Sequence, residues 1–255
     1  MFTRSSILLL LTTLIGIGAF LYPFFAASPS QGSFSMAHSN DAPLILLVLL
    51  LLCMGVVVTE LEAGQANSRV IAVLGILVAI NAVLRFIPGP AGFSAVFLLP
   101  ILCGYTYGGV FGFLLGALSI LVSALLGAGV GPWLPYQMLA TGWMGMSASA
   151  LGFARRFPRL EVLLLALWGF LWGFAFGAIM NLWFWPYLLA PGDMYWNPGL
   201  SLVESLARYG LFYVTTSLWW DAGRAMGNLI LILALGRPIM AVLRRFQKRF
   251  RFVAL

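Results

Sequence analysis

The chain has 255 residues, of which 62% are apolar and only 8% are charged. Soluble domains carry about 25% charged residues, so this composition excludes a water-soluble globular fold and predicts an all-α polytopic membrane protein. The net charge of +7 is concentrated after the last apolar segment, in a tail without acidic residues. That tail contains Arg237, Arg244, Arg245, Lys248, Arg249 and Arg251. We interpret it as a cytoplasmic anchor facing anionic lipid, in preference to a nucleic-acid-binding segment.

Taken in chain order, the apolar segments predict membrane-spanning helices, each of which needs about 20 apolar residues. Eight spans are predicted, near residues 5–25, 43–59, 69–87, 94–106, 109–127, 136–153, 161–189 and 209–236. Fusing the fourth and fifth spans into one helix would place Arg4 and the segment 65–69 outside the cell. Splitting them at residues 104–109 places every basic loop inside, so both termini are predicted to be cytoplasmic.

The N-terminal segment 1–27 has some features of a secretory signal, with Arg4, an apolar run and the sequence Ala26-Ala27-Ser28. Its apolar run exceeds the usual signal core of about 7–15 residues, so we favour an uncleaved helix. The polar stretch 59–69 is the one plausible module boundary. It predicts a two-helix extension with a linker at 1–68 and a core at 69–255.

The residues that most often carry chemistry are few. Cys53 and Cys103 lie in apolar spans without a CxxC pattern, which indicates buried thiols that act as small hydrophobes. His38 is the only histidine and lies in a polar loop, without a cluster of metal ligands nearby in the sequence. A membrane enzyme would need paired acids, a histidine dyad or a metal site. We therefore predict no enzyme activity, no catalytic residues, no metal and no cofactor.

Three stripes of small residues recur at helical spacing, and in lipid such faces let helix backbones approach closely. The first stripe contains Ser68, Ala72, Gly75, Ala79 and Ala82; the second contains Gly108, Gly112 and Gly116; the third contains Gly169, Gly173 and Gly177. The second and third are interpreted as packing faces inside one bundle. The first follows the module boundary and forms one continuous face, which makes it a candidate surface for a partner.

The segment 127–146 is the strongest indication of a ligand site. Glycine and proline residues between positions 129 and 135 break one membrane helix, and Tyr136 and Gln137 open the next. Trp133 and Tyr136 carry amphipathic rings of the kind found at headgroup depth. A polar amide just inside a new helix, surrounded by aromatic rings, predicts the floor of a site that is open to one side. Gln137 is the leading candidate for ligand contact.

Other polar residues inside predicted spans are costly and usually face the bundle interior. Arg85 is near the predicted outer surface, where it either meets an anionic ligand group or reaches the lipid headgroups. Asn181 is a candidate for either an interhelical hydrogen bond or ligand contact. Asp221, Arg224 and Asn228 share one helix face at i, i+3 and i+7. We interpret them as a structural ion pair with a polar neighbour, with ligand contact or a hinge as the alternatives.

Aromatic rings are concentrated in the predicted outer half of the core. They are Trp133, Trp183, Trp185, Tyr187, Tyr195, Trp196, Tyr209 and Tyr213. This surface suits a bulky amphipathic ligand, although an aromatic belt at the lipid interface would give the same composition. The outer loop 191–207 places helix breakers around aromatic rings, with Glu204 and Arg208 predicted to cap it. It is interpreted as a lid or as an inert connector.

From residue 69 onward the order of elements resembles the substrate-binding (S) components of energy-coupling-factor (ECF) vitamin transporters. The segments that carry the resemblance are 69–90, 92–152, 168–186 and 216–240. The resemblance implies a six-helix core in the plasma membrane that captures a vitamin at the outer face. It also implies delivery of the vitamin inward with a transmembrane coupling (T) component and two cytoplasmic ATPases. The first small-residue stripe would then contact the T component.

Within this family, GPWLPYQM and MNLWFWP most resemble members assigned to cobalamin or a related corrinoid. The candidate ligand-binding residues are Arg85, Trp133, Tyr136, Gln137, Asn181, Trp185, Tyr195 and Trp196. Two alternatives stay open at this point: an S component for a different vitamin or micronutrient, and a self-sufficient secondary transporter. The second alternative lacks a convincing inverted repeat, and only Asp221 would serve as a buried acid for proton coupling.

Overall fold

The computed structural model describes residues 4–26, 37–62, 68–87, 89–188 and 192–251, and this part of the chain is built from helices. The helices are α1 Arg4–Leu21, α2 Pro23–Ala26, α3 Ala42–Glu62, α4 Ser68–Leu84, α5 Leu98–Tyr107, α6 Gly109–Ser123, α7 Leu134–Ser147, α8 Glu161–Phe184, α9 Leu202–Thr216 and α10 Leu218–Arg251. The considered cleavage position at 27–28 and the linker segment 63–67 lie outside the described residues.

Five of the described helical stretches are long and apolar enough to cross a membrane. They are Arg4–Leu21, Ala42–Glu62, Gly109–Ala128, Glu161–Tyr187 and Leu218–Arg249. Two shorter apolar stretches, Ser68–Leu84 and Ala95–Tyr107, accompany them. The chain is therefore a polytopic membrane protein, as its composition predicted. The number of eight spans and their orientation stay predictions.

Two helix boundaries can be compared with the predicted limits of the membrane spans. The chain turns between α5 and α6 at Gly108, whose φ of 108° is a conformation that glycine adopts without steric cost. The break falls inside the segment 104–109 at which charge favoured a split. The predicted last span, 209–236, is wrong in its start, because it begins inside α9 and the helix breaks at Ser217. A single helix then runs through Pro238 to the end of α10.

Glycines set the distance between the central helices. A Cβ atom at Gly104, Gly112 or Gly145 would overlap the backbone of a neighbouring helix, so α5, α6 and α7 meet around these three positions. Gly116 packs against the backbone of Thr141 in the same way. The second stripe is thus an internal face from Gly112 onward, whereas Gly108 itself belongs to the turn.

The third stripe joins α8 to α10. Gly173 packs against the backbone of Ala225, and Gly177 packs against the carboxylate of Asp221. Further along the stripe, Gly169 packs against Ile232. Lower residue numbers in α8 are paired with higher residue numbers in α10, so the two helices are antiparallel. This close approach lets polar groups on one helix bind backbone carbonyls on the other.

The first stripe behaves differently. Ser68, Ala72, Gly75 and Ala79 are exposed along α4, and a Cβ atom at Gly75 would have no neighbour within 4 Å among the described residues. Ala82, by contrast, is 0% exposed. The predicted continuous five-residue face is therefore wrong at its end, because Ala82 has turned into the bundle core. The exposed small-residue face comprises the first four residues.

The N-terminal extension packs on the core rather than standing apart from it. Helices α1 and α3 contact each other, and both contact α7. Gly16 of α1 lies against Leu139 and Trp143, and the indole of Trp143 donates a hydrogen bond to Thr13 at 3.3 Å. The extension is therefore fixed to α7, which also carries Tyr136 and Gln137.

The opposite end of the bundle contains a buried acid that binds the basic tail. Glu161, at the start of α8, accepts hydrogen bonds from Tyr105 and Arg244. Arg155 donates to the carbonyl oxygen of Tyr105 at 2.7 Å, and Gln247 donates to that of Thr106 at 2.9 Å. The tail is thus attached to the ends of α5 and α8, in addition to any contact with lipid.

Candidate functional site

The polar centre of the site is a hydrogen bond between Arg85 and Gln137. Arg85 follows the last turn of α4, and its Nη2 donates to Gln137 Oε1 at 2.7 Å. Its Nη1 donates to Ser123 Oγ at 2.8 Å. Gln137 lies in the first turn of α7, where Pro135 is tolerated because a backbone N–H at that position has no partner within the helix. Among the described residues no carboxylate lies within ion-pair distance of Arg85.

Beside Gln137, the fully buried Tyr136 contacts the turn 37–41 of the N-terminal extension. Its hydroxyl oxygen lies 2.7 Å from His38 Nδ1 and 3.2 Å from Asp41 Oδ2. His38 Nδ1 and Asp41 Oδ2 are themselves 2.7 Å apart, and the hydroxyl of Tyr22 donates to Asp41 Oδ2 at 2.6 Å. A turn that the sequence indicated only as a polar loop is therefore inserted between aromatic side chains.

The environment of Asp41 keeps its carboxyl group ionised. Burial opposes ionisation, but hydrogen bonds from His38 and Tyr22 outweigh it, and the pKa of Asp41 lies below its usual value. An ionised carboxylate next to Nδ1 orients the imidazole ring and fixes which nitrogen carries the proton. Asp41 thereby positions His38.

Aromatic rings surround the imidazole of His38. Its centroid lies 4.6 Å from that of Tyr136 and 4.9 Å from that of Tyr187. The indole of Trp183 is stacked at 6.1 Å with an interplanar angle of 22°. Trp183 in turn contacts Trp133 edge to face at 6.4 Å. Rings from α7 and α8 and the turn 37–41 thus form one aromatic group next to the Arg85–Gln137 pair.

A second aromatic group lies just beyond the end of α8. Trp185 is only 2% exposed, and its indole N–H donates to the carbonyl oxygen of Met194 at 3.0 Å. Trp196 packs beside it, and Phe24 of the extension contacts both indoles, at 5.9 Å and 5.6 Å. Tyr195 contacts Phe212 of α9 at 6.5 Å. Phe184 joins the two groups, with its ring 5.9 Å from Trp183 and 6.0 Å from Phe212.

The predicted outer loop is in part a helix. Residues from 202 onward belong to α9, and Glu204 forms a capping box with Ser201 at its start. The hydrogen bonds from Ser201 hold the pKa of Glu204 below its usual value. Arg208 instead binds the preceding loop, since it donates to the carbonyl oxygens of Gly192 and Tyr195 at 3.4 and 3.3 Å. Residues 189–191 lie outside the described part of the chain.

The remaining intramembrane polar residues bind neighbouring helices. Asn181 is buried and donates to Ser217 Oγ at 2.7 Å, at the junction of α9 and α10. Asp221 and Arg224 form an ion pair, and the guanidinium of Arg224 lies 5.1 Å from the ring centroid of Phe176. Asn228 donates to the carbonyl oxygen of Gly169 at 3.0 Å. Asn181 was a candidate for an interhelical hydrogen bond or for ligand contact, and the structure contains the hydrogen bond.

The structure thus divides the eight candidate ligand-binding residues. Arg85, Gln137, Tyr136 and Trp133 lie in the first group, and Trp185, Tyr195 and Trp196 lie in the second; Asn181 is one turn before Trp185. From the sequence, His38 was noted only as a lone histidine without a metal or catalytic role, and Tyr22 and Asp41 were not candidates. A signal was present, because the lone histidine stands three residues from an acid in the turn between two apolar helices.

These features define a polytopic helical membrane protein with a buried aromatic site, a cation without an acidic partner among the described residues, and an exposed face of small residues on α4. Residues 69–236, about two thirds of the chain, match the family described as ECF transporter, substrate-specific component. The chain belongs to this family and is the substrate-binding component of an ECF transporter. It is a transport protein rather than an enzyme, and membership implies partnership with an ECF module.

The match begins at Arg69, so helices α1 and α3 precede the matched region. No curated protein and no solved structure matches this chain. The family therefore establishes the transport role and leaves the identity of the substrate to be argued from the site.

Proposed function

We propose that the substrate is a corrinoid such as cobalamin, captured at the predicted outer end of the bundle. The observation that supports this assignment is the first aromatic group, which lies next to a guanidinium that binds only neutral partners among the described residues. A corrinoid presents a broad flat ring system with amide groups at its edge, and cobalamin adds a phosphate. Aromatic faces suit the ring system, and an arginine suits the phosphate.

Each of the eight candidate residues has a role in binding the ligand. Arg85 binds the anionic group, and Gln137 holds Arg85 and offers its amide N–H to the ligand. Trp133 and Tyr136 contact the flat face of the ring system. The second aromatic group, Trp185, Tyr195 and Trp196, forms the adjoining wall, with Asn181 behind it. Most ligand surface in such a site would be apolar, with a few polar groups to fix orientation.

We also propose that the exposed small-residue face of α4 binds the T component, which works with two ATPases to release the ligand inward. Ser68, Ala72, Gly75 and Ala79 leave a shallow groove along α4 in which partner side chains would lie. Gly112 and Gly116 of the second stripe and the three glycines of the third pack against helices of this chain, which leaves the α4 face as the candidate among the three.

The substrate assignment is tested on gently purified full-length protein. Native mass spectrometry and an ultraviolet–visible spectrum would detect a corrinoid that co-purifies. Titration calorimetry then compares cyanocobalamin and cobinamide with riboflavin, thiamine and biotin, in the absence of ATP and partners. We expect tight binding of the two corrinoids only. Binding of another vitamin with no heat from either corrinoid would overturn the substrate and leave the family assignment intact.

A self-sufficient secondary transporter makes the opposite prediction for energy coupling. Its candidate proton acceptor, Asp221, is engaged in an ion pair with Arg224. We expect cellular uptake to stop on ATP depletion, with the proton gradient held constant. Uptake that survives ATP depletion and fails with a protonophore would favour the secondary transporter.

A further inference from the structure

The turn 37–41 comes from the two-helix extension, outside the region that matches the family, yet it lies in the candidate substrate site. At this end of the bundle, polar and aromatic contacts join the extension to the core. The Tyr136 hydroxyl meets His38 and Asp41, and Tyr22 lies 3.4 Å from Tyr187, hydroxyl to hydroxyl. Phe24 of the same extension packs on Trp185 and Trp196. Described residues of the extension therefore contact both aromatic groups.

One atom in this arrangement lacks a partner. The His38 side chain is 0% exposed, and its Nε2 has no hydrogen-bond partner among the described residues. A buried polar atom in this condition is uncommon and costly, and it requires an explanation. The backbone of His38 also has a φ of 56°, in the left-handed region that non-glycine residues seldom occupy. Strain of this kind occurs at ligand-binding positions more often than elsewhere.

The hydrogen bonds of the turn place a proton on Nδ1 of His38, and in the neutral imidazole this leaves Nε2 as an acceptor. With Asp41 ionised, the Nδ1–H group donates to Asp41 Oδ2, and the Tyr136 hydroxyl donates to the same carboxylate oxygen. In a neutral imidazole whose Nδ1 carries the proton, Nε2 presents a lone pair. It can then accept a hydrogen bond from an N–H or O–H group. The amide groups at the edge of a corrinoid are donors of this kind.

We propose that the turn 37–41, together with Tyr22 and Phe24, is a cap over the substrate site and that His38 is a substrate-binding residue, whose Nε2 accepts a hydrogen bond from an amide or hydroxyl group of the substrate. The inference rests on the proposed function, in that the substrate occupies the first aromatic group. Asp41 and Tyr22 are positioning residues that orient the imidazole. To admit substrate, the cap separates His38 and Asp41 from Tyr136, and Tyr22 from Tyr187.

The substrate-binding role is tested with two variants that keep different halves of the imidazole. An asparagine side chain reaches about as far as Nδ1, so His38→Asn keeps the hydrogen bond that holds the turn and removes the Nε2 acceptor. A glutamine side chain reaches about as far as Nε2, so His38→Gln restores an acceptor there. Asn40→Ala, at an exposed position in the same turn, is the matched control.

For cyanocobalamin binding to full-length protein, we expect an affinity loss of roughly 5- to 150-fold in His38→Asn, the range for one buried hydrogen bond. We expect a smaller loss in His38→Gln and no change in Asn40→Ala. The opposite order, with full affinity in His38→Asn and weak binding in His38→Gln, would show that His38 only holds the turn. Thermal unfolding of each variant identifies any loss that comes from misfolding.

The cap is tested by chemical modification, because His38 is the only histidine in the chain. Diethyl pyrocarbonate modifies accessible imidazoles, and mass spectrometry after digestion measures the adduct on the peptide that contains His38. We expect slow but measurable modification in the native protein, faster modification in Asp41→Asn, and protection by cyanocobalamin. No modification in either protein, over a time that fully modifies the denatured chain, would overturn the cap.

The binding measurements and the modification experiment distinguish failure of the cap from failure of the corrinoid assignment. If riboflavin, thiamine or biotin binds in place of cyanocobalamin, the corrinoid assignment fails and the same His38 variants are measured with that vitamin. If none of these compounds binds, the rate of His38 modification in Asp41→Asn against the native protein still decides whether the turn opens.

Discussion

Arg85 Nη2 lies 2.7 Å from Gln137 Oε1, across 52 positions of sequence, and this contact joins the end of α4 to the start of α7. A second hydrogen bond from Arg85 reaches Ser123 at the end of α6. The guanidinium is held in place by neutral oxygens, so its positive charge is not cancelled by an acid among the described residues. A fixed cation of this kind suits an anionic ligand group.

Gln137→Ala should weaken ligand binding by about 1–3 kcal/mol, a factor of roughly 5 to 150, because it removes a ligand contact and releases Arg85. Titration calorimetry with cyanocobalamin measures the loss. Gln247→Ala is the control, since it removes a glutamine that binds the Thr106 carbonyl at the other end of the bundle. Equal affinities in both variants would place the ligand elsewhere.

Trp185→Ala should lower stability as well as binding, because the indole is almost fully buried between Phe24 and Tyr209. Removing a buried tryptophan side chain costs about 3–5 kcal/mol. Trp185→Phe keeps one aromatic ring and loses the rest of the indole and the hydrogen bond to Met194, so its unfolding temperature should lie between those of the native protein and Trp185→Ala. A fully stable Trp185→Ala variant would contradict the packing described for the second aromatic group.

Ala72→Trp and Ala79→Trp should abolish uptake in cells that contain the ECF module, while the purified proteins bind cyanocobalamin with near-native affinity. Bulk on the exposed face of α4 would prevent the T component from docking without reaching the ligand site. Ala82→Trp is the matched control in the same stripe. Because Ala82 is 0% exposed, overpacking there should reduce stability and expression. Loss of ligand binding in the Ala72 and Ala79 variants would show that this face stabilises the protein itself and does not serve to bind the T component.

Arg244→Ala should destabilise the end of the bundle that holds Glu161. The buried carboxylate would lose a charged partner and keep only the hydrogen bond from Tyr105, at a cost of about 1–3 kcal/mol. Arg245→Ala removes an exposed neighbouring cation and should change the unfolding temperature little. Similar unfolding temperatures for the two variants would show that the Glu161–Arg244 pair contributes nothing measurable.

Sequence patterns predicted contacts within one helix but not contacts between distant segments. The spacing of Asp221 and Arg224 predicted an ion pair because both partners lie one turn apart on the same helix. The contact between His38 and Tyr136 joins residues 98 positions apart and depends on how the extension packs against α7. The burial of Ala82 likewise depends on which helices surround the end of α4, and periodicity along one helix cannot identify its neighbours.

The sequence alone was enough to predict a helical membrane protein, the positions of its apolar segments and the chain break near Gly108, because length, hydropathy and glycine or proline content act locally. It also carried the family resemblance from residue 69 onward. The pairing of polar groups could not be predicted in this way: Arg85 binds Gln137, Glu161 binds Arg244, and the turn 37–41 contacts Tyr136. Those pairings follow from the packing of whole helices, and glycine contacts such as that of Gly112 with Gly145 set how closely the backbones approach.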